Sequence, residues 1–220
     1  MLNDKLEELI ERYHCLSTVS DQINEAYAIL EDTYKNKGKL LVAGNGGSAA
    51  DAEHIVGELM KKFRIHRPVS EEYRKRLFEV APDRAEYLSN NLEQSLRAIA
   101  LVGHEALTTA YINDVDGYGV FAQQLFGYGD EGDAFLAIST SGNSRNIIDA
   151  AVTARAMRIK VIGLTGQNGG ILKKYADVLI AVPEVETYKV QELHLPVYHC
   201  LCQMLEETFF GKEEREKKDF

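Results

Sequence analysis

His54 and Glu58 stand four residues apart in the stretch LVAGNGGSAADAEHIVGEL, from Leu41 to Leu59. On a helix that spacing puts an imidazole and a carboxylate on one face, a turn apart. Such a pair can move protons, can form half of a metal site, or can be a plain surface ion pair. Just ahead of it, Gly44, Asn45, Gly46, Gly47 and Ser48 make a glycine loop between an apolar run and a helix. A second loop, Ser139-Thr140-Ser141-Gly142-Asn143-Ser144, sits in the same kind of place, after AFLAIS and before Arg145-Asn146-Ile147-Ile148. Backbone N–H groups at a helix N-terminus attract anions, and Ser139, Thr140, Ser141 and Ser144 add hydroxyl donors. That density of donors suits a phosphate monoester. The loop holds no lysine, so its grip is dipolar.

The glycine loop formally satisfies the dinucleotide fingerprint G-x-G-x-x-G/A. That motif requires an acidic residue about 20 positions on, at the end of a second strand. Lys62, Phe63 and Arg64 occupy that place, and the chain has no Walker A lysine pattern. No nucleotide cofactor is expected.

The elements that carry these loops read as alternating strands and helices. Short apolar runs fall at 39–44, 98–102, 134–139, 160–165 and 178–183, and helical stretches at 48–62, 144–158 and 188–209. The alternation predicts an α/β fold with a five-stranded parallel sheet flanked by helices on both faces. Ligands then gather at the C-terminal ends of the strands, where the two loops and a third, Thr165 to Gly170, all lie. Ahead of the sheet, Leu2, Leu6, Leu9, Ile10 and Tyr13 form one helical stripe and Ile23, Ala26, Tyr27, Leu30 and Tyr34 another. Residues 1–38 are therefore expected to be a helical pair whose apolar faces need a partner, such as a second copy of the chain. Residues 39–210 form the main domain, with a polar insertion over 64–97 read as two surface helices. From 211 to 220 a charged tail is expected to fray.

Composition bounds the rest. The chain has 220 residues, 45% of them apolar, and a net charge of −9 with pI near 5.2, which argues against a nucleic-acid surface. The N-terminal segment lacks the apolar core of a secretory signal, and no apolar run approaches the roughly 18 residues of a membrane span. Cys15, Cys200 and Cys202 are too few and wrongly spaced for a Cys-based zinc site, and are expected to be buried reduced thiols in a cytoplasmic protein.

GNGGSAADAEH after one strand, STSGNS after another and VQELH on the last helix together resemble the SIS (sugar isomerase) fold, a flavodoxin-like three-layer arrangement. Within it the chain is similar to the phosphoheptose isomerases, which convert sedoheptulose 7-phosphate to an aldoheptose 7-phosphate. The resemblance covers 1–63 and 98–210. It implies D-glycero-D-manno-heptose 7-phosphate as product, a role in heptose or lipopolysaccharide biosynthesis, and a homotetramer. It implies phosphate binding by Ser139, Thr140, Ser141 and Ser144 with Ser48 nearby, and sugar contacts from Asn45 and Asp114. Gly46 and Gly47 would let the backbone approach the sugar. Glu58 and His199 match the catalytic pair, and His54, Glu58, Gln191 and His199 match positions that bind zinc in some members. Close relatives of the same fold bind the replication initiator DnaA or sense a phosphosugar, which keeps a non-catalytic role open. The pattern departs at Lys62, where the family has an arginine, and at Tyr188, where some members carry an acidic residue. These departures and the insertion keep a different sugar phosphate open as substrate.

Gln191 and His199 are eight residues apart, a rise of about 12 Å on a straight helix. They cannot both reach one metal unless Pro196 breaks the helix or the two residues serve different copies of the site. His194 is expected to be structural, and His14, His66 and His104 bystanders.

Overall fold

The computed structural model describes residues 4–218, with side chains described as far as Gly211. Leu2 and residues 219–220 lie outside the described residues, as do the side chains of most of the expected tail. Two helices, α1 (Asp4–Arg12) and α2 (Ser20–Lys35), lead into the sheet, joined by a 3₁₀ turn at His14–Val19. Strand β1 (Leu40–Ala43) feeds α3 (Gly47–Met60), which carries His54 and Glu58. The insertion holds α4 (Glu71–Val80) and α5 (Pro82–Asn91) before β2 (Ala98–Ala100). Then come α6 (Glu105–Asp114), α7 (Val120–Tyr128), β3 (Ala134–Ile138), α8 (Arg145–Ala156), β4 (Lys160–Gly166), β5 (Val178–Val182) and α9 (Thr187–Lys218).

All five strands are parallel, in the order β2-β1-β3-β4-β5. The order reverses between β1 and β3, and the glycine loop leaves β1 beside the serine loop leaving β3. Such a switch point is where an open parallel sheet makes its ligand crevice. Strand residues alternate between two cores. Leu40, Val42, Leu136, Ile138, Ile162, Leu164, Ile180 and Val182 pack with α1, α2, α3 and α9. Leu41, Ala43, Phe135, Ala137 and Val161 pack with α7 and α8. Both faces are covered, which is why the strands read as unbroken apolar runs.

The N-terminal pair corrects one expectation. Leu6, Leu9, Leu16, Ile23, Ala26 and Leu30 are buried within the chain, against the sheet and α9. Ile10, Tyr13 and Tyr27 of the same two stripes stay partly exposed. More exposed apolar side chains lie elsewhere: Leu107, Ile112 and Val115 on or just after α6, Tyr118 in the next turn, and Phe126 on α7. Neither α6 nor α7 was expected, since 103–133 lacks a clean apolar stripe. Another difference is Cys15, which is exposed, whereas Cys200 and Cys202 are buried. Burial pushes the Cys200 thiol up to about 12 and that of Cys202 higher still.

The insertion is a helical hairpin as expected. Ser70 caps α4 by accepting from the Tyr73 N–H, and α4 buries no side chain. Pro68 and Glu93 form an antiparallel bridge at its base. The final helix runs on to Lys218, past the point where the tail was expected to leave it. No helix among the described residues is long and apolar enough to cross a membrane.

Candidate active site

Helices α3 and α9 run side by side in the same direction. Gln191 lies over Gly47, Tyr198 touches Asp51 and His54, and the Glu206 carboxylate accepts from the N–H groups of Phe63 and Arg64. Side chains at matching levels therefore meet. At the middle level His54 Nε2 lies 3.3 Å from Glu58 Oε1 and 3.4 Å from His199 Nε2. The three groups share one small space, walled by Phe63, whose ring lies tilted against His199 with centroids 5.4 Å apart. Glu58 is mostly buried there and His54 is the more open of the two. Burial lowers the His199 pKa, and repulsion from His54 adds to this while Glu58 opposes it. His199 is thus a neutral imidazole at neutral pH, able to take a proton and give it back.

The end of α3 is fixed by a buried ion pair. Arg67 donates to Glu206 at 2.7 and 3.0 Å, and to the Leu59 and Glu58 carbonyls at the helix C-terminus. The guanidinium sits on the Phe210 ring at 4.6 Å. Glu206 therefore accepts from two backbone and two side-chain N–H donors, enough to offset its desolvation.

The phosphate side is built differently. Ser139 and Ser144 hydroxyls lie 3.0 Å apart, and the Ser141 hydroxyl accepts from the Asn143 N–H. Thr140 is half-buried, with its carbonyl accepting from the Gly166 N–H. Gly142 has φ +66°, and a Cβ there would stand 2.1 Å from the Gly169 carbonyl oxygen. Only glycine fits so close an approach in that conformation. The third glycine loop thus braces the serine loop. Gly46, at φ +57°, starts α3, and Ser48 is buried behind it. Asn45 and Asn146 exchange amide hydrogen bonds of 2.9 and 3.0 Å, which joins the two loops across the switch point.

Not every expected residue joins this group. Gln191 packs on Gly47, about two turns along from the His54–His199 contact, so the set of four zinc ligands does not assemble within the chain. Pro196 lies inside a continuous α9 and does not bring Gln191 and His199 together. Asp114 stays at the exposed end of α6, where it accepts from Asn113 at 2.7 Å. The following turn does touch the serine-loop helix, since Arg145 sits 4.4 Å over the Tyr118 ring. Lys62 and Tyr188 are exposed. His104 stacks on Tyr128, and His66 faces Glu93 at 3.8 Å. Sequence reasoning missed Asp51, Tyr198, Asn146, Arg67 and Glu206. Asp51 was within reach, because it lies three residues before His54 and so on the same helix face.

Comparison with known proteins agrees with this architecture. The SIS domain family matches residues 3–93 and 91–166. A phosphoheptose isomerase of Akkermansia muciniphila is 32% identical over 210 residues, covering 96% of this chain and 97% of its own. The chain belongs to the phosphoheptose isomerase family of SIS domain proteins. Another family member, phosphoheptose isomerase 2 of Campylobacter jejuni, is 38% identical over 179 residues, or 81% of this chain and 76% of its own. The phosphoheptose isomerase structure from Neisseria gonorrhoeae superposes with a TM-score of 0.72 at 30% identity, covering 91% of this chain and 94% of that one. The Francisella tularensis enzyme gives 0.70 at the same identity and coverage. For this phosphoheptose isomerase family member, the aldose–ketose isomerase class expected from the three motifs stands.

The donors at the middle level fit zinc in kind, being two imidazoles and a carboxylate. The two separations of 3.3 and 3.4 Å are close to the ligand–ligand edge of a tetrahedral zinc site, about 3.3 Å for bonds near 2.0 Å. Among the described residues, however, no group of three or more such side chains closes into a metal-binding cluster.

Proposed function

We propose that this isomerase interconverts sedoheptulose 7-phosphate and D-glycero-D-manno-heptose 7-phosphate through an enediol. The observation that carries the assignment of roles is the meeting of Glu58 and His199 around His54 in a partly dry space. The Glu58 carboxylate takes the carbon-bound proton next to the carbonyl and returns it to the neighbouring carbon. Neutral His199 accepts the proton of one sugar hydroxyl and delivers it to the oxygen that began as the carbonyl. The serine loop holds the phosphate through Ser139, Thr140, Ser141, Ser144 and the α8 N-terminus, and Ser48, Gly46 and Gly47 line the approach. Asn45, Gln191 and Asp114 are assigned to sugar hydroxyls. The proton transfers above are those of the metal-free site; where zinc is bound, His54, Glu58 and His199 would hold it, with Gln191 from another copy as a fourth ligand that a sugar oxygen displaces, and zinc would polarise the sugar carbonyl.

The assembly assigned is a homotetramer. The exposed apolar side chains of α6 and α7 support it, in place of the N-terminal helices. The setting assigned is cytoplasmic heptose supply for lipopolysaccharide. One assay tests the core of this reading: purified protein is incubated with a panel of ketose phosphates in deuterated water. Deuterium entering at the carbon next to the carbonyl of sedoheptulose 7-phosphate is expected. Turnover of another ketose phosphate alone would replace the substrate, and no exchange with any would favour the sensing role. Light scattering gives the mass, and elemental analysis with and without chelator decides the metal.

A further inference from the structure

Helix α3 ends without a cap of its own. Lys61 turns straight into extended backbone, at φ −140° and ψ −178°, with no glycine to fold the chain back over the last carbonyls. Gly57, just before Glu58, weakens the same turn further. The last carbonyls find their donors outside the helix. Arg67 Nη2 donates to the Glu58 carbonyl at 3.3 Å and Nη1 to the Leu59 carbonyl at 2.8 Å, and the latter also accepts from the Leu96 N–H. The same guanidinium forks onto Glu206, which lies on α9 seven positions after His199 and so on the same face of that helix. Arg67 and Glu206 are each 1% exposed. Glu206 in turn accepts from the N–H groups of Phe63 and Arg64, each at 2.8 Å, which places the Phe63 ring against His199. The Arg67 backbone is itself tied down, its carbonyl accepting from the Gln94 N–H at 2.7 Å.

We propose that Arg67 is a positioning residue for the proton transfer: with Glu206 it clamps the last turn of α3 to α9, and so sets the spacing between the Glu58 carboxylate and the His199 ring. Arginine suits this task because its rigid planar fork serves Glu206 and both carbonyls at once, whereas a lysine ammonium can face Glu206 but has no fixed fork. Once the clamp is loosened, the last turn frays and Glu58 drifts, and a misplacement of about 1 Å can cost about 100-fold in rate. The serine loop belongs to β3 and α8, which the clamp does not touch, so capture of the phosphate stays as it was. A buried pair that only held the fold together would lower stability and leave the turnover of the folded molecules alone. The inference rests on the assignment of Glu58 and His199 as the proton carriers.

The test compares full-length Arg67→Lys with Ile162→Val, a buried change in β4 away from the clamp. Turnover of sedoheptulose 7-phosphate is measured well below both denaturation midpoints, and amide hydrogen exchange is followed by mass spectrometry. Arg67→Lys is expected to lower kcat about 10–100-fold, with KM within about threefold of wild type. Exchange of the amides of residues 57–62 should speed up about tenfold or more, while those of 139–148 keep their rates. Phe210→Leu removes the ring under the guanidinium and keeps both charges, and it is expected to lower kcat a few-fold in the same pattern. It decides the matter if Arg67→Lys does not fold. An unchanged kcat in the deciding variant, a loss that falls on KM, or an equal loss of kcat in Ile162→Val overturns the proposal. If wild type exchanges deuterium with no ketose phosphate, the isomerase reading falls by itself, and the amide pattern alone decides the clamp: unchanged exchange at 57–62 refutes it.

Discussion

The proton-handling end of the site and the phosphate-handling end are made from different materials. The first is made of side chains: Asp51, His54 and Glu58 from α3 meet Tyr198 and His199 from α9 through polar contacts of 3.1–3.4 Å. The second is made of backbone: three loops at strand ends, with Gly46, Gly142, Gly169 and Gly170 at positive φ and short N–H to carbonyl bonds between the loops. The difference follows from what each end must do. Moving a proton needs groups that change charge, and only side chains do that. Holding a phosphate needs many fixed dipoles and no titration, which N–H groups at a helix start supply. The two ends should therefore fail differently when mutated.

The largest effect is expected from Glu58→Gln. An amide cannot accept the carbon-bound proton, so kcat should fall by roughly 10²–10⁴, the usual worth of a general base. Ligand binding should stay within about tenfold of wild type. Near-normal turnover would remove Glu58 from the chemistry. The next effect concerns the element that ties the two ends together. His194 is buried on α9 between Gln191 and His199, and burial lowers its pKa to about 4, with the Thr165 backbone opposing. Below pH 6.5 the unfolded chain takes up this proton while the folded chain refuses it. Stability should therefore fall by about 3 kcal/mol between pH 6.5 and 4. Denaturant midpoints measured across that range should show this slope, and His194→Gln should show less of it. Equal slopes would mean that His194 is already protonated or solvated in the fold.

At the phosphate end, Ser144→Ala and Ser141→Ala should each weaken phosphorylated ligands by about 1.5–3 kcal/mol and barely affect the unphosphorylated sugar. Calorimetry with both ligands checks this, and equal losses would mean the loop shapes the crevice without reading phosphate. The smallest change is expected from Asn146→Ala. Its exposed amide pair with Asn45 contributes about 0.5–1 kcal/mol, so KM should rise only a few-fold with kcat nearly unchanged. A large fall in kcat would show that the two ends are coupled through that pair.

The sheet, the serine loop and the helix bearing His54 and Glu58 were legible because each rests on local pattern: apolar runs, glycines after strands, and helical spacing. The insertion's two helices were legible from Ser70 and the leucine steps. The cover over the N-terminal helices was not, because whether a stripe packs on its own sheet or on a second copy depends on a tertiary choice that periodicity does not encode. The Arg67–Glu206 pair was hidden for the same reason, joining residues 139 positions apart. Spacing did correctly keep Gln191 away from His199. It could not show that Tyr198, next to His199, would reach back to Asp51.

The hairpin of α4 and α5 leaves and re-enters the domain at nearly the same point, where Pro68 bridges Glu93. Gln94 also ties back to Pro68 and Arg67 through its side-chain amide and backbone N–H. The two ends of the segment are thus already joined, and the carboxylate of Glu93 holds the Lys62 N–H from the domain side of that joint. Loop-closure entropy changes by only about 0.6 kcal/mol for each doubling of length. The segment beyond the joint is consequently a free parameter of the fold. It can be lengthened, shortened or exchanged for another without moving the end of α3, so a lineage can add a new surface beside the reaction centre and leave the chemistry untouched.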